Sequence, residues 1–286
     1  MFAKRRKGGV LQPNDKFYIN FEERFGACHP NKINVLQIQD FVNSFIDTTR
    51  KCKAIYQCIS ILFNYMERLD LIDRNPITKV VCPDYEPKET KHYDLETFKL
   101  LLGKLLTVDD CIYTPVLIMG ILGLRPSETL ALTDDDIQEN YLSVSKASVT
   151  VKRKGKNQEA YIGKTKTEKS TRGFMLDNGF IEKLYSYRRR HNIVSPFLCV
   201  QKDGSQITYT VLKKHLKSIT QKNNLPAITP YGLRHTFAQI QKALGTDMYT
   251  ISRLMGHSNT TITSKTYFHN DKTLNQNAIQ RITDLI

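Results

Sequence analysis

Between Thr229 and Tyr267 the chain sets out a cation, an imidazole and a phenol in order. Arg234 lies within Thr-Pro-Tyr-Gly-Leu-Arg-His-Thr-Phe-Ala, His257 closes Leu-Met-Gly-His, and Tyr267 sits in Lys-Thr-Tyr-Phe-His. These types suit chemistry on a phosphodiester. A free phenol has a pKa of about 10, so it needs a cationic pocket and a proton acceptor before it can attack phosphorus at neutral pH. Cations are at hand: Arg125 within Leu-Gly-Leu-Arg-Pro-Ser-Glu, and the lysine-rich run from Lys164 to Arg172. Two planar guanidiniums can donate in parallel to non-bridging phosphate oxygens and stabilise the charge of a pentacoordinate transition state, which lysine does less well. Taken singly, each residue also has a plain structural reading. An arginine on a helix face is usually solvated charge, a lone histidine is usually a satisfied structural group, and any one of 14 tyrosines is by default a core or surface aromatic. The order of the residues lifts them above those readings.

The local sequence says how these side chains are carried. Thr229 is a plausible N-cap and Pro230 suits a first helical turn, which puts Tyr231, Arg234 and His235 at i, i+3 and i+4 on one face, with Leu233, Phe237, Ile240 and Leu244 as the apolar side. Arg125 precedes Pro126, so a helix starts just after it and the guanidinium projects from a helix entrance. Glu128, three residues on, is placed to orient Arg125 through a salt bridge, and equally to serve as an ordinary N-terminal carboxylate.

Around these motifs, three-four spacing of Ile38, Phe41, Val42, Phe45 and Ile46, and of Ile55, Ile59, Leu62, Phe63, Met66 and Leu69, predicts two amphipathic helices. Asn75-Pro76 and the proline-punctuated, charged run 82–90 read as a linker, with a boundary near residue 85. Helices are expected at 95–105, 115–122, 178–190, 209–222, 230–244 and 247–255, with Gly245 and Gly256 at C-terminal caps. Residues 142–175 alternate and read as a small antiparallel sheet. The fold class expected is mainly α with that sheet: a basic flexible arm at 1–15, a helical domain at 16–85, and an α+β domain at 86–286 with a tail at 271–286. In the tail, Leu274, Ala278, Ile282 and Leu285 form an apolar stripe that suits either a neighbouring subunit or its own domain.

The chain has 286 residues and a formal charge of +14 (42 basic minus 28 acidic), spread along its length, which favours a polyanionic partner, nucleic acid ahead of a membrane surface. The longest apolar run, near 116–124, is too short to span a bilayer, and the N-terminal basic cluster has no hydrophobic segment after it, so a cytoplasmic, DNA-associated protein is expected. Six cysteines show no Cys-x-x-Cys pair and no histidine at metal-ligand spacing, so they read as reduced, mostly buried thiols, with no metal or cofactor expected. The run Asp134-Asp135-Asp136 reads as a solvated turn leading into the sheet rather than as a metal site.

Together, the Arg-Pro-Ser-Glu, Tyr-Gly-Leu-Arg-His, Leu-Met-Gly-His and downstream tyrosine motifs resemble the tyrosine recombinase family, also called phage integrases, over nearly two thirds of the chain. The resemblance implies a site-specific DNA recombinase in which Arg125 and Arg234 clamp the scissile phosphate, His257 bonds to it and Tyr267 is the nucleophile. It places a general-acid lysine on the turn before Arg172, where Lys166 aligns best and Lys164 is the rival. Relatives usually carry histidine or lysine at the position of Tyr231. Here either His235 compensates or the Tyr231 hydroxyl holds the phosphate. The implied partners are double-stranded DNA at specific sites and a homo-tetramer on two duplexes, assembled from monomers or weak oligomers, with no ATP or divalent metal needed. A mobile element's integration or excision is the preferred task. With 85 residues before the catalytic part, the additional arm-site-binding domain of some integrases is not expected. The competing readings are a non-catalytic DNA-binding regulator, suggested by the helix-turn-helix-like spacing of 230–255, and a topoisomerase-like strand-cleaving relative.

Overall fold

The computed structural model describes residues 15–45, 49–82, 90–151, 159–164, 171–256 and 272–286, and among these the side chains of 18–45, 52–82, 90–148, 162–163, 171–256 and 277–286. Residues 1–14, Lys166, His257 and Tyr267 lie outside the described residues, as does the side chain of Lys164. The chain divides into two compact units, one formed by residues up to Glu89 and the other beginning at Thr90.

The first unit is helical: α1 (Asp15–Phe25), α2 (Val35–Asn43) and α3 (Thr49–Arg68). Asn34 starts α2 with a capping box, its side chain accepting from the Gln37 N–H while Gln37 accepts from Asn34 N–H, both at 2.9 Å. Ile38, Phe41, Val42, Ile55, Ile59 and Phe63 meet in one core, joined by Ile72, Ile77 and Val80. Leu69, assigned above to the apolar stripe, falls past the end of α3 and is exposed.

The second unit is built round α5 (Tyr113–Leu122), every residue of which is buried. It packs against α4 (Leu95–Thr107), α7 (Asn178–Arg190) and α9 (Pro230–Ala243). A helix apolar on all sides belongs at the centre of a domain. Asp94, Asp177, Thr208, Thr229 and Asp247 cap α4, α7, α8 (Tyr209–Lys222), α9 and α10 (Met248–Met255) with side-chain oxygens. The short α6 (Pro126–Thr129) follows Arg125.

The strands form two antiparallel groups where the sequence suggested a single sheet. In one, β2 (Tyr141–Val144) lies between β1 (Ile137–Gln138) and β5 (Arg172–Met175); in the other, β3 (Lys146–Val151) pairs with β4 (Glu159–Lys164). The registers are Val144 opposite Arg172 and Lys146 opposite Lys164. The aspartate run does lead into β1, but it is not wholly solvated. Asp136 is buried against Lys146 (2.9 Å) and the Thr133 hydroxyl (2.9 Å), and Asp134 pairs with Arg188 (2.6 Å).

The C-terminal α11 (Lys272–Thr283) lies on its own unit. Ala278, Ile279 and Ile282 are buried in the same core as α5 and α9, and Gln241 Nε2 donates to the Ala278 carbonyl (2.7 Å). Of the predicted stripe, Ala278 and Ile282 pack on their own unit, Leu285 is exposed, and the side chain of Leu274 lies outside the described residues.

Candidate functional site

Arg125 owes its position to the end of α5. Gly123 terminates that helix with φ +64°, and a Cβ there would lie 2.4 Å from the Phe237 ring, so the turn requires glycine both for its backbone and for the close approach of α9. Arg125 then takes an extended conformation (φ −67°, ψ 148°), as the residue before proline does, and caps α6. Its side chain is 32 % exposed. Glu128 binds it twice, accepting from the Arg125 backbone N–H and from Nη1, each at 2.8 Å.

Glu128 is the meeting point of more than one cation. Arg172, at the start of β5, donates from Nη2 to Oε2 at 2.8 Å and from Nη1 to Oε1 at 3.2 Å, a forked pair. Arg234, on α9, brings Nη1 to 3.9 Å from Oε2. The carboxylate is 3 % exposed and Arg234 is 4 % exposed. Among the described residues, three guanidiniums face this one carboxylate in a largely dry place, an excess of positive charge. Such an excess attracts an anion more strongly than it would in water.

Each guanidinium also reaches the C-terminus of α10, and they take successive carbonyls. Arg172 Nε donates to Leu254 (2.7 Å), Arg234 Nη2 to Met255 (2.6 Å) and Arg125 Nη2 to Gly256 (2.8 Å). A helix C-terminus is the negative end of its dipole and carries unpaired carbonyls, so it is a natural seat for cations. Gly256 has φ +66°, and a Cβ on it would come within 2.8 Å of Arg172 Nη1. Arg234 is further held by the Gly123 carbonyl (2.8 Å), which ties α5 to α9.

The charges act on one another. Burial pushes Glu128 up, but the hydrogen bond and charge of Arg172, with the backbone and side-chain hydrogen bonds from Arg125, outweigh it and hold the carboxyl below its usual range. Burial, then the charges of Arg125 and Arg172, push Arg234 down to about 9, so it remains a cation at neutral pH. His235 is lowered by burial, by Arg234 and by His92, which keeps its imidazole neutral and able to accept a proton at neutral pH.

On α9 the predicted face divides. Arg234 is buried, while Tyr231 (49 % exposed) and His235 face outward. The segment leading into α4 crosses the start of this helix: Tyr93 N–H donates to Thr236 Oγ1 (2.9 Å), and a Cβ on Gly232 would meet the Lys91 carbonyl at 2.6 Å. The structure therefore gathers Arg125, Glu128 and Arg234, with Tyr231 and His235 on the helix that carries Arg234. Lys164 is placed by its backbone at the end of β4, opposite Lys146. Arg172 entered the sequence reading as a register mark for the lysines alone. Its signal was present, because period-two alternation puts it on the same strand face as the buried Phe174.

An α-rich unit with a small antiparallel sheet, closing three arginines on one buried carboxylate, defines a class of protein equipped to hold a phosphate. Residues 103–273, more than half of the chain, match the model of the phage integrase family, and the chain belongs to that family, the tyrosine recombinases. Among curated relatives it is 26 % identical to the tyrosine recombinase XerC-like protein of Caldanaerobacter subterraneus subsp. tengcongensis, over 94 % of this chain and 75 % of the relative. It is 24 % identical to the tyrosine recombinase XerD of Listeria monocytogenes, over 85 % and 80 %. Among solved structures it is similar to the Tn1549 transposon integrase in complex with transposon right-end DNA (TM-score 0.72, 21 % identity, 98 % of this chain and 96 % of that one). It is also similar to a lambda integrase dimer bound to a COC′ core site (TM-score 0.63, 14 % identity, 89 % and 91 %). At these identities the structural likenesses speak for the fold. Among the described residues no helix is long and apolar enough to cross a membrane.

Proposed function

We propose that this protein is a site-specific recombinase that cuts and rejoins DNA through Tyr267. The phenol oxygen attacks a backbone phosphorus, the bond from phosphorus to the 5′ oxygen breaks, and a 3′-phosphotyrosine remains with a free 5′-hydroxyl. A hydroxyl from a second duplex then reverses the step. The ester bond is conserved throughout, so no ATP is consumed. Arg125, the more exposed guanidinium, and Arg234, buried beside it, stabilise the charge developing on the non-bridging oxygens. His257 bonds to the same phosphate. Lys166, or Lys164 in the alternative register, protonates the departing 5′ oxygen. With Tyr231 at a position where relatives usually carry histidine or lysine, the neutral His235 one turn on is the acceptor for the phenolic proton. Glu128 and Arg172 hold the arginines in place.

The observation that carries this reading is the convergence of Arg125, Arg172 and Arg234 on Glu128 and on the last carbonyls of α10, immediately before His257. The partners are double-stranded DNA and a tetramer of this chain on two duplexes, in keeping with the solved lambda integrase tetramer bound to a Holliday junction. The likeness to the Tn1549 integrase favours integration or excision of a mobile element, and the curated recombinase relatives favour action on DNA in the cytoplasm. A nicked suicide substrate resolved on a denaturing gel tests the chemistry. The wild type forms a covalent DNA adduct without added metal, and Tyr267→Phe forms none. DNA binding with no adduct from the wild type overturns the reading in favour of a DNA-binding regulator. An adduct from a protein that relaxes supercoils but never pairs two sites points to a topoisomerase-like relative instead.

A further inference from the structure

A second polar cluster lies at the opposite end of α5 from Arg125. Asp110 and Cys111 stand in the turn between α4 and α5, and His215 on α8 reaches them. His215 Nδ1 is 2.9 and 3.2 Å from the two Asp110 oxygens and 4.0 Å from Cys111 Sγ. One donor atom from each of the three residues lies within 4.8 Å of the others. Around a tetrahedral zinc ion, with Zn–S of about 2.3 Å and Zn–N or Zn–O of about 2.0–2.1 Å, ligand atoms stand roughly 3.3–3.6 Å apart. The observed separations bracket those edges, so small rotations of three side chains close the site.

The chemistry of the neighbours fits as well. Asp110 Oδ1 already accepts the Ile112 N–H at 3.0 Å, which leaves Oδ2 for a ligand. Asp109, the adjacent carboxylate, is committed to Arg190 (2.8 Å) and His191 (2.6 Å), so it is not a fourth ligand and water takes that position. The cysteine is 8 % exposed and His215 is partly exposed, which gives an ion an entry from the α8 side.

The geometry points to a divalent transition-metal site formed by Asp110, Cys111 and His215, with one position open to water. Thiolate, imidazole and carboxylate together favour zinc-like ions over magnesium or calcium, which take oxygen-only sets. On binding, the Cys111 thiol gives up its proton to solvent, and His215 coordinates through Nδ1 as a neutral imidazole that carries its proton on Nε2. Because α5 is ten residues long, or about 15 Å, the ion is too far from Arg125 to touch a phosphate there. Its role is to pin α8 to the head of the central helix, whose other end sets Gly123 and Arg125. The proposal does not depend on the recombinase reading.

Cobalt(II) titration of the chelator-treated full chain tests it. A thiolate-to-cobalt charge-transfer band in the near ultraviolet, saturating at one ion per chain and displaced by zinc, is expected. Zinc in roughly hundredfold excess over its dissociation constant then raises the melting temperature by roughly 5 °C or more. Cys111→Ser and His215→Gln abolish both effects, while Cys28→Ser, at an exposed thiol, leaves both intact. Should either ligand variant lose its native circular dichroism, Asp110→Asn is read in its place and weakens cobalt binding at least tenfold. No band from the wild type, or a band that survives Cys111→Ser, overturns the assignment and leaves His215 and Asp110 as an ordinary ion pair.

Discussion

Glu128 shows how much can rest on one carboxylate. With Arg125, Arg172 and Arg234 around it, it is the only negative side chain described against three positive ones, and it is almost wholly buried. Replacing it by glutamine keeps the shape and removes the charge, so three cations are left to repel one another. Breaking a buried ion pair in this way costs about 3–5 kcal/mol, and Glu128→Gln should lose stability of that order in urea melts. The same residue sets an acid limit. Its folded pKa is depressed below the ordinary value of 4.5, so its contribution is fully present above that pH and is lost as pH falls through the lower folded value. The wild type should therefore lose stability steeply below about pH 4.5, and Glu128→Gln should show a flatter acid limb in the same titration. Arg172 is a positioning residue for the same group. Lysine cannot reproduce its forked bond to Glu128 or its reach to the Leu254 carbonyl. In Arg172→Lys the rate of adduct formation on a suicide substrate should fall at least tenfold, on the order seen when a supporting contact is lost, while DNA affinity changes little.

Among the elements, the C-terminus of α10 matters most to the site. Its last carbonyls, Leu254, Met255 and Gly256, hold the three arginines, and the left-handed Gly256 makes the arrangement possible. Gly256→Ala forces a Cβ into a strained backbone and against Arg172 Nη1. It should cost about 1–2 kcal/mol in a thermal melt and lower adduct formation more than that loss explains. Much of this layer was legible beforehand. The apolar periodicity of α4, α8, α9 and α10, the unbroken apolar run of α5, the threonine and proline before α9, and the cap glycines are local signals carried by neighbouring residues. The first helix was missed although its signal was local: Phe21 and Phe25 stand at i and i+4 in Asp15–Phe25 and pack into the core of the first unit. The strands were found, but their grouping into two sheets depends on β2 pairing with β5, some thirty residues on, which no local pattern records. Likewise Asp136 reads as a surface aspartate until Lys146 and Thr133 fold over it.

Across the full chain, the charge of +14 is a statement about partners rather than about fold. If the protein neutralises six to ten phosphates, its affinity for nonspecific duplex DNA should fall by about a thousandfold or more between 50 and 200 mM salt, measurable by fluorescence anisotropy. A salt-independent affinity would remove DNA from the list of partners. The two units divide at 89/90 and each has its own apolar core, one centred on Phe41 and Phe63 and the other on α5. The C-terminal helix joins the second core through Ala278, Ile279 and Ile282.

What the amino-acid order determined by itself was periodic and local: which segments coil, where they stop, and the motifs that place this chain among the tyrosine recombinases. It also gave Arg125 and Glu128, which sit three residues apart on one turn. Folding in three dimensions added the rest. Arg172 meets Glu128 across 44 residues, Arg234 meets the Gly123 carbonyl across 111, and Cys111 meets His215 across 104. Contacts of that kind are set by which apolar faces bury together, and a buried face fixes its polar neighbours only after the helices have packed.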